Sequence, residues 1–152
     1  MPKGLEFKGN KKIEARLKKL ASVRQVVKGY DVGFFKQSVY PDGTLVTSVA
    51  FWNEFGTKFV PERPFFRTGN KKAEKPLIKL IDKLLNENDS YVLSKESVSL
   101  LGQLHASQIQ KSIVDLRDPP NAVSTIDAKG GKSNPLIDTG EMRRSVISKV
   151  VE

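Results

Sequence analysis

Three stretches of this sequence hold residue types that could do chemistry. The first is "PLIDTGEM", where Asp138, Thr139 and Gly140 follow two aliphatic residues in the local pattern of an aspartic-protease dyad. That chemistry needs two carboxylates sharing one proton, so a chain with one copy of the motif would have to dimerise. It would also need a β-barrel and flap after the motif, and Asp138 stands too close to Glu152 for that. Glu141 occupies a position where such a site carries a small residue. A turn is the simpler reading: Thr139 or Asp138 caps it and Gly140 permits it. The second stretch surrounds His105, the single histidine. A metal would require two or three partners at ligand spacing, and none is present. With Leu101 and Ile109 four residues to either side, His105 reads as part of a helix packing face. The third, "KGGK" at residues 129–132, lacks the rest of a phosphate loop and follows no strand, so it reads as a hinge. Cysteine is absent, which removes disulfides and thiolate chemistry. No catalytic centre, metal or cofactor is expected, and the chain reads as a non-enzyme.

The elements that would position these residues follow from periodicity. Residues 1–10 read as a flexible polar terminus and residues 11–152 as one domain. Ile13, Leu17, Leu20 and Val27 share one face of a helix over 11–28, with Lys and Arg opposite and Gly29 as its C-cap glycine. "YDVGFFKQSVY" and "TLVTSVAFW" are rich in β-branched and aromatic residues, and "PDGT" between them is a turn sequence. An antiparallel hairpin is therefore expected there. "KPLIKLIDKLLNEND" has a helical apolar stripe that starts, or kinks, near Pro76. A second long helix follows Ser94, its expected N-cap, with Glu96 in the first turn and Leu101, His105, Ile109, Ile113 and Leu116 along one side. Pro119 and Pro120 stop it. Residues 118–135 form a long loop rich in Pro, Gly, Ser and Lys, of the kind that orders on a neighbour. "RRSVISKVVE" alternates as a last strand. The fold class is α+β: a small, mainly antiparallel sheet packed with about three helices, with a long loop before the C-terminal strand.

The chain of 152 residues carries 26 Lys and Arg against 17 Asp and Glu, a net charge of +9. The cations are scattered in pairs, Lys11-Lys12, Lys18-Lys19, Lys71-Lys72 and Arg143-Arg144, with no long block. Such a balance suits nucleic acid, an acidic protein partner, or solubility alone. No apolar run approaches the roughly 20 residues of a membrane span, and "MPKGLEFKGNKK" lacks a signal-peptide core. A cytoplasmic site of synthesis is expected.

The least ordinary stretch is "AFWNEFGTKFVPERPFFR", residues 50–67, which gathers Phe51, Trp52, Phe55, Phe59, Phe65 and Phe66 around one Gly and two Pro. Phe51, Trp52 and Phe55 fit the apolar face of one helical turn, which Gly56 would end. Pro61 and Pro64 stiffen the link that follows. Arg63 could pair with Glu54 or with a neighbouring subunit. Phe51, Phe55 and Phe65 read equally as a hydrophobic corner of the domain. Trp52, Arg63 and Phe66 are the better interface anchors, since Trp and Arg are enriched at such positions.

This segment, with "NPLIDTGEMRRSVISKVV" at residues 134–151, resembles two segments of the small morphogenesis proteins of tailed phages. In that family an aromatic-x-x-Glu-Phe-Gly-Thr run precedes Pro-x-Arg-Pro-Phe, and Pro-Leu-Ile-Asp-Thr-Gly precedes a last strand. Order and separation are similar, and the resemblance spans most of residues 11–152. The first aromatic position is a Phe-Trp pair here, and the loop before the second segment is short. The family comprises virion-morphogenesis, neck and tail-completion proteins of the head–tail joint. The resemblance therefore implies a virion protein assembled in the host cytoplasm, in a ring of roughly six copies. Its partners would be further copies of itself and neck, portal-side or tail-tube and terminator proteins, with at most weak non-specific contact to DNA. Trp52, Glu54, Arg63 and Phe66 from the first segment, and Asp138, Thr139 and Gly140 from the second, are the candidate interface residues. The rival is a basic accessory protein that binds nucleic acid, which would interleave aromatics with its cations. Here the aromatics cluster away from the Lys pairs.

Overall fold

The computed structural model describes residues 27–35, 38–87 and 93–152. The expected tail 1–10, and all but the last two residues of the expected helix 11–28, lie outside them. Strand β1 (Gly29–Phe34) pairs antiparallel with β2 (Val146–Val151), in a register running from Gly29 opposite Val151 to Phe34 opposite Val146. Between them come α1 (Val46–Phe55), α2 (Phe65–Glu87), α3 (Lys95–Asp115) and two short helices, α4 (Val123–Ala128) and α5 (Glu141–Ser145). The fold is α+β, with a two-stranded antiparallel sheet and three long helices among the described residues.

The hairpin expected around "PDGT" is corrected by this arrangement. The turn itself forms: the Gly43 amide donates to the Tyr40 carbonyl at 2.9 Å, the Thr44 amide donates to Asp42 Oδ1 at 2.9 Å, and Gly43 takes a φ of 82°. It is flanked by a single β-bridge, Val39 to Leu45, and then the chain enters α1. β-Branched residues favoured a strand over 44–52, but Val46, Ala50 and Glu54 recur every four residues and all three are buried. Burial of that face outweighs intrinsic strand preference, a preference that depends on its surroundings. The partner of β1 comes instead from the far end of the chain.

A second correction concerns α2. It begins eleven residues before Pro76, which lies in its interior. Its start is fixed by a side chain from another element: the Glu54 carboxylate accepts from the Phe66 amide at 2.7 Å and the Arg67 amide at 3.1 Å. An acidic group at a helix N-terminus satisfies orphan donors and complements the dipole. By contrast α3 starts where its sequence indicates. Ser94 caps it, accepting from the Ser97 amide at 3.2 Å.

Helices α2 and α3 pack closely at Gly69, where a Cβ would come within 2.6 Å of the Ile109 Cα. Ile109 and Ile113 of α3 are wholly buried and join Phe65, Val46, Met142 and Val146 in one core. Each such burial contributes about 1.5–3 kcal/mol. His105 lies on the α3 packing face, between Tyr30 of β1 (hydroxyl to Nδ1, 3.1 Å) and Asn70 of α2 (Oδ1 to Nε2, 2.9 Å). The stretch 118–135, expected to be loop throughout, contains α4, and Pro135 and Leu136 at its end are buried.

Candidate docking surface

Helix α1 turns Val46, Ala50 and Glu54 inward, which leaves Phe51, Trp52 and Phe55 on its outward side. Phe51, Trp52 and Phe55 are 60%, 44% and 55% exposed, and Phe59 in the following link is 87% exposed. Gly56 ends the helix with a φ of 73°, and a Cβ there would sit 3.0 Å from the Glu62 amide nitrogen. The link therefore doubles back against itself, through Thr57 (whose amide donates to the Val60 carbonyl at 2.8 Å) and Arg63 (whose amide donates to the Asn53 carbonyl at 2.6 Å). This fold-back sets the two ends of the aromatic stretch side by side. A groove of about 240 Å³ opens between α1 and the start of α2, lined mainly by Phe34, Ala50, Phe51, Phe55, Phe65 and Phe66. Phe51 and Phe55 pack together with ring centroids 4.8 Å apart. Phe66 is half-buried, 6.5 Å from Phe34 and 6.4 Å from Phe65.

Polar residues hold this surface from beneath. Glu54, 5% exposed, caps α2 and also accepts from Arg67 Nε at 2.8 Å. Arg67 reaches on to Glu62, and its guanidinium lies over the Phe55 ring at 5.4 Å. Arg63 is also 5% exposed. It donates to the carbonyls of Pro119 and Pro120 at 2.9 Å each, to Asn53 Oδ1 at 3.1 Å and to Asn121 Oδ1 at 3.4 Å. Burial pulls the Arg63 pKa below its ordinary value, yet five donors with four oxygen partners keep the charge satisfied.

The candidate residues thus separate. Trp52 and Phe66 lie at the surface as exposed and half-buried aromatics. Glu54 and Arg63 are inside the subunit, where each has its own partners, and the pairing considered between the two does not form: Glu54 pairs with Arg67. Phe65 belongs to the core, while Phe51 and Phe55 do not. Asp138, Thr139 and Gly140 form the turn into α5. Gly140 has a φ of 79°, Thr139 Oγ1 accepts from the Glu141 amide at 3.3 Å, and Asp138 is exposed and paired with Lys132 at 3.4 Å. Asp138 and Glu141 do raise the pKa of Tyr40, although burial is the larger cause. Arg67 and Phe34 are the contributors that sequence reasoning missed. Arg67 was legible in part, because it follows Phe66 directly in the aromatic stretch. Phe34 had no local signal, since only the β1–β2 pairing brings it there.

Among the described residues, no group of three or more His, Cys, Asp and Glu is placed to hold a metal, and no helix is long and apolar enough to cross a membrane. Compared with family models, curated proteins and solved structures, the chain finds no match.

Proposed function

We propose that this chain is a structural virion protein of a tailed phage, at the neck or the top of the tail, that acts by assembling into a ring. The observation that carries the assembly reading is the outward aromatic surface of α1 and its link. Contiguous apolar surface on a soluble protein marks a site for a partner. Aromatic side chains supply much of the energy of such contacts at low entropic cost. The phage context rests on the resemblance of residues 50–67 and 134–151 to tailed-phage morphogenesis proteins. The chemistry of the region agrees with a structural role, because its buried ionic groups are consumed in capping and bracing.

The test is the location of the chain in purified virions, read from particles in which it carries a gold label. Label at the head–tail joint is expected, and virions without label overturn the reading. The net charge of +9 favours one rival, a nucleic-acid-binding accessory protein. A salt titration with duplex and single-stranded DNA separates the two. Affinity no tighter than about 10⁻⁴–10⁻⁶ M, falling steeply with salt, is expected of non-specific contact. Nanomolar, sequence-dependent affinity would promote the rival.

A further inference from the structure

Among the described helices α4 alone buries no residue, and Val123 at its start is 75% exposed. Six residues do not hold a helix in water by themselves. Polar clamps fix α4 from both ends instead. On the N-terminal side Arg63 binds the carbonyls of Pro119 and Pro120. On the C-terminal side Lys129 Nζ donates to the carbonyls of Asn134, Pro135 and Ile137 at 3.3–3.4 Å. The subunit therefore presents an apolar ridge, the exposed Val123 and the half-buried Ile126 at adjacent helical positions, that belongs to no part of its core. Beside that ridge stands Asp127, exposed and without an ion-pair partner among the described residues. The groove between α1 and α2 has the complementary character. It is lined by aromatic rings, and Lys58, three residues beyond Phe55, is exposed and has no carboxylate partner among the described residues.

We propose that α4 of one copy docks in the aromatic groove of the next, with Val123 and Ile126 against Phe51 and Phe55 and with Asp127 facing Lys58. This rests on the self-assembly reading above and names the surfaces it uses. The contact joins two different patches, so it is head-to-tail, and such contacts close into rings or continue as filaments. Charge decides against the other segment of this chain that could fill the groove. Residues 1–26 hold eight Lys and Arg against two Glu, and they would meet Lys58, the cation there that no carboxylate offsets among the described residues, with like charge, Arg67 being paired with Glu54 and Glu62.

A mixing experiment tests this. Val123→Asp removes the ridge and leaves the groove; Phe51→Glu, at an exposed position, removes the groove and leaves the ridge. By sedimentation the wild type associates, each variant alone is monomeric with an unchanged far-ultraviolet dichroism spectrum, and an equal mixture forms a dimer and nothing larger. Should either variant melt far below the wild type, Lys58→Asp and Asp127→Lys replace them. Each then weakens association at least tenfold, and a chain carrying both restores it. A wild type that stays monomeric at every concentration overturns both the docking and the ring of copies. Association that survives the single variants, or monomers that do not recombine on mixing, overturns the docking alone and leaves the ring.

Discussion

The start of helix α2 and the face it packs on α3 are built by opposite rules. On the packed face, Gly69 and Ala73 lie buried, Gly69 tight against Ile109 of α3, and apolar groups fill the interior. At its start the order inverts: Glu54 and Arg63 are buried while Phe51, Trp52, Phe55 and Phe59 face outward. A region that only had to fold would have placed the rings inside and the charges in water. Burying two charged groups is tolerable only because each is held by several hydrogen-bond partners. What they stabilise is the fold-back link that displays the rings. The inversion is what the proposed docking role would ask of this corner, whereas the α2–α3 contact needs nothing beyond the subunit's own packing.

Substitutions that attack each side sharpen that contrast. The largest effect should come from Gly69→Val. A side chain there drives into the Ile109 backbone, which cannot move away cheaply, and a loss of about 3 kcal/mol or more is expected. Denaturant melts measure it; near-wild-type stability would mean that α2 and α3 are not in close contact.

Glu54→Ala comes next. It leaves the Phe66 and Arg67 amides without their acceptor and should cost about 2–3 kcal/mol, mostly as fraying of the start of α2. Hydrogen exchange at those two amides reads the effect directly. Unchanged protection would return Glu54 to a role outside the subunit.

A smaller effect comes from pH. Burial lowers the His105 pKa, so the folded state favours the neutral ring. The unfolded chain takes up its proton near the ordinary value of about 6.5. Stability is therefore complete above that pH and declines as pH falls from about 6.5 through the lowered folded value. Thermal melts at pH 7.5 and 5.5 should show the decline in the wild type and a shallower one in His105→Gln. Identical slopes would assign the decline to other groups.

The smallest stability effect belongs to Phe59→Ser. At 87% exposure the ring contributes within about 0.5 kcal/mol, even though the residue is aromatic. A substantial fall in melting temperature would place Phe59 in the core and weaken the contrast between the two faces.

The sequence carried a good part of this. The α+β class, the last strand, the Ser94 cap and the Gly56 stop were all written locally, in patterns of a few residues. Two elements were not. The partner of β1 stands at the opposite end of the chain, and local strand preference favoured the adjacent residues 44–52 over it. The start of α2 is capped by Glu54, twelve residues before Phe66, so Pro76 looked like the stronger signal. In the candidate site the aromatic cluster was visible, but its sidedness was not. Whether Phe51 or Phe65 turns inward depends on how Gly56 and Pro61 fold the link back. The roles of Arg63 and Glu54 depended on partners at residues 119–121 and 66–67.

The pairing of β1 with β2 also has a consequence during synthesis. Gly29 emerges well before Val151, its partner in the ladder. Contacts between α2 and α3 are nearer in sequence and can form while the chain is still growing, whereas strand pairing over that separation is slow and comes at the end. Phe34 sits on β1 and lines the aromatic groove. The groove is thus completed only after β2 has emerged and paired, and a chain terminated before Val146 would lack a finished aromatic surface.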